Sequence, residues 1–553
     1  MRRLACFALA LAVVLGGCTR IASTASGGAP GDEAASGGRH SWTRPGVLRI
    51  ASINDPDTLN PVLGTYQIDT DLSMFWAGYF FEWNDRNEFV PDLATAVPTT
   101  DNGGIAKDGR TITYHLRRGV QWQDGAPFDA SDVVFTWHTV MNPNNNVQTR
   151  DGYDDITRID TPDRYTVVVH LKKPYAPFIG TFFSMSPSSY PVLPRHLLAQ
   201  YPNINRVPFN SAPVGTGPFI VKEWHRGEVL RMVANPHYWR GAPKLKEVDY
   251  QAIPDENTLT TSMQSHDIDL WYLATAATYP TASKIAGTRA VLTPFTQYAY
   301  VGFNTTRPAL HDLAVRRALA YGIDRKRIID TATYGVNTAG DGDQPRFLWA
   351  YDDALRPIPY DPEKAKATLQ AAGWVPGPDG IRSKNGTRLH LVFALATGSA
   401  LGNRVAVFMQ AALRSIGVDV EIKTYASALM FANAQSGGIL QAGKFDVSFA
   451  TWVNGVDPDD FTTVSCDAFP PHGQNIYRLC DPAIDAAEKV ALSHYDRATR
   501  KKAYDTIQQR LVDDVPFITM WWVRRIDVVS VDMKNYEPAH AVTPFWNAWE
   551  YDI

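Results

Sequence analysis

A short apolar run near the start of this chain constrains how everything after it can fold. Arg2 and Arg3 precede Leu4 to Leu15, and Gly16, Gly17 and Cys18 follow. A run this short, behind a basic start and ahead of small residues, reads as a cleaved export signal and not as a membrane span. No later stretch is apolar for long enough to cross a bilayer, so the remainder is expected to close on its own interior, outside the reducing cytosol. Between the two, Thr19 to Pro45 is rich in Gly, Ser and Ala and has almost nothing to bury. Such a segment is expected to be a flexible coil that holds a folded body about 30 Å from its attachment point. The expected division is therefore a signal over 1–17 and a tether over 18–45.

Some 508 residues follow residue 45, more than one core usually organises, so two or three lobes are expected. Formal net charge is −4, falling by two to −6 once Arg2 and Arg3 leave, with no runs of one sign. That pattern argues against nucleic acid or an anionic membrane surface as the main partner. Cys466 and Cys480 lie fourteen apart in a loop-like stretch. In an oxidising compartment they read as a disulfide rather than a two-cysteine metal site. A loop of that size contributes about 3 kcal/mol on the chain-entropy account. Leu15-Gly16-Gly17-Cys18 resembles the lipobox of bacterial lipoproteins. The resemblance implies that Cys18 becomes the first mature residue and carries diacylglycerol on its sulfur; the alternative is a chance cysteine beside an ordinary cleavage site. Thr19 stands where an aspartate would resemble an inner-membrane retention signal, which leaves open which membrane holds the anchor.

Reactive constellations are missing from the sequence. There is no HExxH, P-loop, GxSxG elbow or clustered CxxC. Gly398-Ser399-Ala400-Leu401-Gly402 has the wrong spacing for an elbow, and Asp341-Gly342-Asp343 lacks the later ligands of a calcium loop. The thirteen histidines are scattered. These features favour a binder over an enzyme, with no cofactor and no metal. The coarse pattern alternates α and β. Thr111 to Leu116 and Tyr165 to Leu171 alternate as half-buried strands. Asp312 reads as an N-cap ahead of a Val315, Ala318, Leu319, Gly322 stripe. Asp361-Pro362 opens a second helix that ends at Gly373. Val405 to Ile416 makes a third, closed by Gly417, and Val418, Val420 and Ile422 follow as a strand.

The stretch His115-Leu116-Arg117-Arg118-Gly119-Val120-Gln121-Trp122-Gln123-Asp124-Gly125, continuing through Phe128-Asp129-Ala130-Ser131-Asp132-Val133-Val134, resembles a signature of extracellular solute-binding proteins. The family is the cluster that includes the dipeptide- and oligopeptide-binding proteins of ABC importers. Further blocks appear in the family's order: Asp57 to Pro61, Val90 to Ala94, Gly215 to Phe219, Asn235 to Pro243, Phe303 to Thr305, Val315 to Ala318, Gly322 to Arg325, Asp361 to Lys366, Ala372 to Trp374, then Phe445-Asp446 and Trp452. Cys466 and Cys480 sit where dipeptide-binding relatives carry a pair.

The resemblance implies an α/β (mixed α+β), two-lobed, periplasmic-binding-protein-like fold with an extra subdomain in the first lobe. The implied divisions are lobe I over 46–87, 213–300 and 520–553, the inserted subdomain over 88–212, and lobe II over 301–519. The chain should cross between lobes near Gln297 to Asn304 and near Pro516 to Val523. It also implies a monomeric substrate-binding lipoprotein of the cell envelope. This would capture short peptides by lobe closure and deliver them to a permease and its ATPase subunits. The alternatives are a non-peptide solute, such as an oligosaccharide or a metal complex, and a ligand sensor. In peptide-binding relatives an aspartate of a Trp-x-x-Asp motif pairs with the ligand's α-amino group. Here Trp452-Val453-Asn454-Gly455-Val456-Asp457-Pro458-Asp459 places Asn454 at that position. Asn454 can accept a hydrogen bond but supplies no charge, and charge-assisted bonds are roughly twice as strong as neutral ones. Asp457 and Asp459 are the replacement carboxylates, with turn capping beside Pro458 as the alternative role for Asp457. Tyr66, in a loop that faces the cleft in relatives, and Tyr298 and Phe303, at the crossing, complete the ligand-binding set. Trp452 is read as stacking on ligand or as core, and Arg404 as a solvated residue or a carboxylate partner.

Overall fold

Thr111–His115 and Thr166–Leu171 alternate buried and part-exposed side chains, and they pair antiparallel as that alternation requires. With Ile156–Asp163 they form a separate three-stranded sheet. The structure, a computed structural model, describes residues 34–35, 38–184, 190–541 and 543–553. The signal, Cys18 and most of the tether lie outside the described residues. Within the tether, Ala34 and Ala35 pair antiparallel with His40 and Arg39. Residues 1–41 and 42–553 are separate units, and the second carries the large sheet.

Its framework is one eleven-stranded sheet. Ten strands carry labels: β1 (Val47–Ser52), β2 (Phe219–His225), β3 (Val229–Ala234), β4 (Glu247–Ala252), β5 (Leu270–Ala274), β6 (Thr288–Phe303), β7 (His390–Ala396), β8 (Asp419–Tyr425), β9 (Val447–Val453) and β10 (Phe517–Ser530). Their spatial order is β8-β7-β9-β6-β10-β5-β1-β4-β3-β2, and Thr338–Ala339 adds to β10. The fold is thus mixed α/β, as expected. β6 and β10 are the longest, at 16 and 14 residues, and run past the predicted crossings. Their antiparallel register breaks between Pro294 and Tyr298. Proline has no N–H to give to a ladder, so Pro294 suits this interruption. On one side of the break Thr288 to Pro294 pairs with Arg524 to Ser530; on the other Tyr298 to Gly302 pairs with Phe517 to Trp522.

Separate cores lie on either side of that break. Leu48, Ile50, Trp76, Tyr250, Tyr272 and Phe545 belong to one, and Val301, Phe303, Leu319, Phe393, Met409 and Trp521 to another. A third core joins Phe80, Tyr114, Trp122, Val167 and Phe182 beneath the small sheet. The segment that follows it returns to the large sheet through a contact only glycine permits. A Cβ on Gly215 would lie 1.7 Å from the Trp76 carbonyl oxygen.

The helices begin where the caps predict. In α1 (Leu313–Gly322) the Asp312 carboxylate accepts from Ala314 N at 2.9 Å. In α2 (Pro362–Ala371) Asp361 accepts from Lys364 N at 2.9 Å. Each such cap stabilises by about 1 kcal/mol. α3 (Ala400–Ser415) ends just before Gly417, whose φ of +90° turns the chain into β8. β8 then lies parallel to β7.

Candidate ligand cleft

β9 delivers its last residues to the break in the sheet, where Trp452 pairs with Tyr298 and Val453 with Gln297. Beyond Val453 the chain leaves the sheet, and its polar groups are taken up one by one. Asn454 is buried; its N–H donates to Thr296 O at 3.0 Å and its side-chain amide to Asp343 O at 2.6 Å. Asp457 meets Arg500 in a two-pronged ion pair of 2.7 and 3.1 Å. Arg500 sits on α5 (Arg497–Asp514), which follows α4 (Pro482–Ser493), and its Nε also donates to Ala491 O at 2.8 Å. The neighbouring Asp457 holds the guanidinium firmly protonated despite its burial. Asp459 accepts from Phe461 N at 3.1 Å and from the Tyr175 hydroxyl at 2.6 Å.

Tyr175 comes from a facing wall, residues 148–181, that docks directly on this segment. Ala176 N donates to Leu492 O at 2.7 Å. The Tyr495 hydroxyl lies 2.9 Å from Gly109 O and 3.2 Å from Tyr175 O. A third wall is a stapled loop: Cys466 and Cys480 are bridged, with Cα atoms 4.6 Å apart. Inside that loop the fully buried Asn475 amide donates to Ser465 O at 2.9 Å and Leu479 O at 2.8 Å. Pro471 to Gln474 are thereby held against the cleft.

These walls enclose a cavity of about 920 Å³. Of the predicted ligand residues, Trp452, Asn454, Asp457 and Asp459 line it. Tyr66 is 59% exposed and lies outside the lining, although the adjacent Gln67 belongs to it. Tyr298 and Phe303 are core residues. Tyr298 packs 5.0 Å from the Trp522 ring, and Phe303 is wholly buried. Arg404 donates to Ala332 O, away from the cavity lining. The sequence reading missed Gln148, Asp151, Tyr175, Phe431, His472 and Gln474, all of which line the cavity. No motif marks them. Only the Cys466–Cys480 spacing hinted that the loop between them was held in place.

Behind the Asp457 wall lies a group of buried acids. Gln344 donates to both Asp460 oxygens, at 3.0 and 2.8 Å, and Asp343 and Glu488 are equally buried. Burial pushes all three carboxyls up; the charge of Asp343 raises Asp460 further, while the hydrogen bond the two share opposes the rise at Asp343. Burial likewise raises Asp459, against the hydrogen bonds from Tyr175 and Phe461; the charge of Asp151 adds to the rise.

The model of the bacterial extracellular solute-binding proteins, family 5, matches residues 88–468. The chain belongs to that family. Protein XP55 of Streptomyces lividans is 30% identical over 491 residues, which cover 88% of this chain and 84% of that protein. The oligopeptide-binding protein AppA of Bacillus subtilis is 26% identical over 500 residues, 89% of each. Its solved complex with a nonapeptide superposes with a TM-score of 0.73 at 24% identity, covering 92% of this chain and 99% of that one. NikZ of Campylobacter jejuni with Ni(L-His) gives 0.75 at 24% identity, covering 92% and all of that chain. The family 5 cleft here is half polar, with amides, hydroxyls and aromatic rings around it. Trp452 is half-buried, so one side serves the core and another remains available to a solute.

Proposed function

We propose that this protein is the solute-capturing component of an ABC importer, taking short peptides and passing them to a permease driven by its ATPase subunits. The observation that carries the reading is the cavity itself, whose two main walls come from distant parts of the chain and hydrogen-bond to each other around it. A ligand there touches both walls only while they are together, so its binding free energy shifts the equilibrium toward closure. The moving bodies are lobe I (46–87, 213–300, 520–553) with its insertion (88–212) and lobe II (301–519), bending where β6 and β10 break register. The volume lies at the upper end of the usual 300–1,000 Å³ or so of small-ligand sites, enough for several residues. The protein binds without making or breaking a bond and works as a monomer. Cys18 anchors it to the envelope membrane by lipid, a reading supported by the lipobox-like Leu15-Gly16-Gly17-Cys18 that closes the apolar run.

Native mass spectrometry of protein purified from cells in rich medium tests the ligand. Co-purified masses in the range of short peptides are expected. A saccharide or a metal chelate as the sole bound species overturns the peptide reading and leaves the family assignment intact. Cys18→Ser should move the protein from the membrane to the soluble fraction; a variant that still sediments with membranes overturns the anchor.

A further inference from the structure

The cavity lining contains three carboxylates, and two of them are already engaged. Both oxygens of Asp457 face Arg500, and Asp459 is held by Tyr175 and Phe461 N. Asn454, at the position where relatives place the amine partner, directs its amide at Asp343 O. The third carboxylate is Asp151, on the facing wall. It is exposed to the cavity, and among the described residues no side chain or backbone group engages its carboxylate; only its N–H is used, donating to Thr149 Oγ1 at 3.1 Å. Among the described lining residues there is also no Lys or Arg. A ligand cation therefore has one unengaged anionic partner, and a ligand carboxylate meets no permanently charged cation, His472 being the one basic side chain among the described lining residues.

Resting on the solute-binding reading above, we propose that Asp151 holds the ligand's ammonium group, and that the site takes amine-bearing solutes without requiring a carboxylate. For a peptide, this places the N-terminus against the inserted wall at Asp151, not against the Trp452 segment. The C-terminal end then runs along uncharged amides and rings such as Gln148, Gln474 and Phe431. A neutral sugar leaves Asp151 unpaired, and an acidic chelate is repelled by it.

The test uses the full mature protein and its Asp151→Asn and Asp151→Glu variants. Each is equilibrated with a tryptic casein digest, the same digest N-acetylated, the same digest C-amidated, and the polyamine spermidine. Retained species are read by ultrafiltration and mass spectrometry, with melting temperature as a check on folding. Free-amine peptides should be retained, N-acetylated ones reduced by about tenfold to a hundredfold, and C-amidated ones unchanged. Asp151→Asn should lose the preference and Asp151→Glu should keep it. Retention of spermidine but no peptide, again lost in Asp151→Asn, supports the role of Asp151 and overturns the peptide reading. Peptides retained regardless of acetylation, or equally by Asp151→Asn, overturn the role of Asp151 and leave the peptide reading standing. Retention of neither class by the unsubstituted protein overturns both.

Discussion

Replacing Asp457 by asparagine should cost stability far more than ligand affinity. The Asp457 and Arg500 side chains are only 12% and 7% exposed, and the carboxylate meets two guanidinium nitrogens at once. Removing one member of a buried pair strands the other charge in a poorly solvated place, typically at about 3–5 kcal/mol. Asparagine keeps one acceptor for Arg500, which favours the lower end, about 3 kcal/mol. Unfolding entropy of about 2.1 cal/mol/K per residue, taken over residues 42–553, is roughly 1.1 kcal/mol/K. The melting temperature should then fall by about 3 °C if the body unfolds as one unit. Scanning calorimetry on Asp457→Asn, Arg500→Gln and the double variant gives the number. The double variant should be less damaged than the two singles summed, by more than about 1 kcal/mol, because the residues touch. An unchanged melting temperature together with a tenfold loss of peptide affinity would show that Asp457 anchors ligand and that the ion-pair reasoning is wrong.

Reducing the Cys466–Cys480 bridge should cost about 3 kcal/mol, the value for a loop of this length, and should also weaken ligand binding because Pro471 to Gln474 line the cavity. Calorimetry with and without reductant checks both effects, and full affinity after verified reduction refutes the second. Stability should decline as pH rises from about 5 to about 8. Burial pushes Asp71 up to about 7 and Asp69 and Glu82 up to about 8, with Asp343, Asp460 and Glu488 raised as well. The folded chain then keeps protons that unfolded carboxyls, with pKa near 4, have released, so each unit of pH above about 4 favours the unfolded state. A melting temperature that is flat or rising across that interval shows these groups to be ionised in the fold.

What the sequence disclosed was local. Asp312 and Asp361 announce their helices because a cap bonds within three residues of itself, and Thr111–His115 announces a strand because alternation is a nearest-neighbour pattern. The Trp452 to Asp459 segment could be placed at the cavity because a whole series of blocks fixed its position. The partners of its acids could not. Asp457 read as a replacement carboxylate for the ligand or as a turn cap beside Pro458, whereas its partner Arg500 lies 43 residues further on. Tyr175 reaches Asp459 across 284 residues, and Asp151 lies on the same distant wall. Tyr298 and Phe303 lie on the expected strand, but both side chains pack into interior clusters, which a position in the chain order cannot reveal.

The middle of the large sheet joins segments that are far apart in the chain. Val47 of β1 pairs with Glu247 of β4, and Thr288 of β6 with Ser530 of β10. The entropy of closing such loops is lost before any of these ladders forms, and architectures dominated by distant pairings fold slowly. β1, at the centre of its half of the sheet, has no neighbour until some two hundred residues have followed it. Until then the small three-stranded sheet can close on its own core and β2 can pair with β3, but β1 has nothing to join. The large sheet is therefore completed last, when β10 near the end of the chain pairs with β5 and β6.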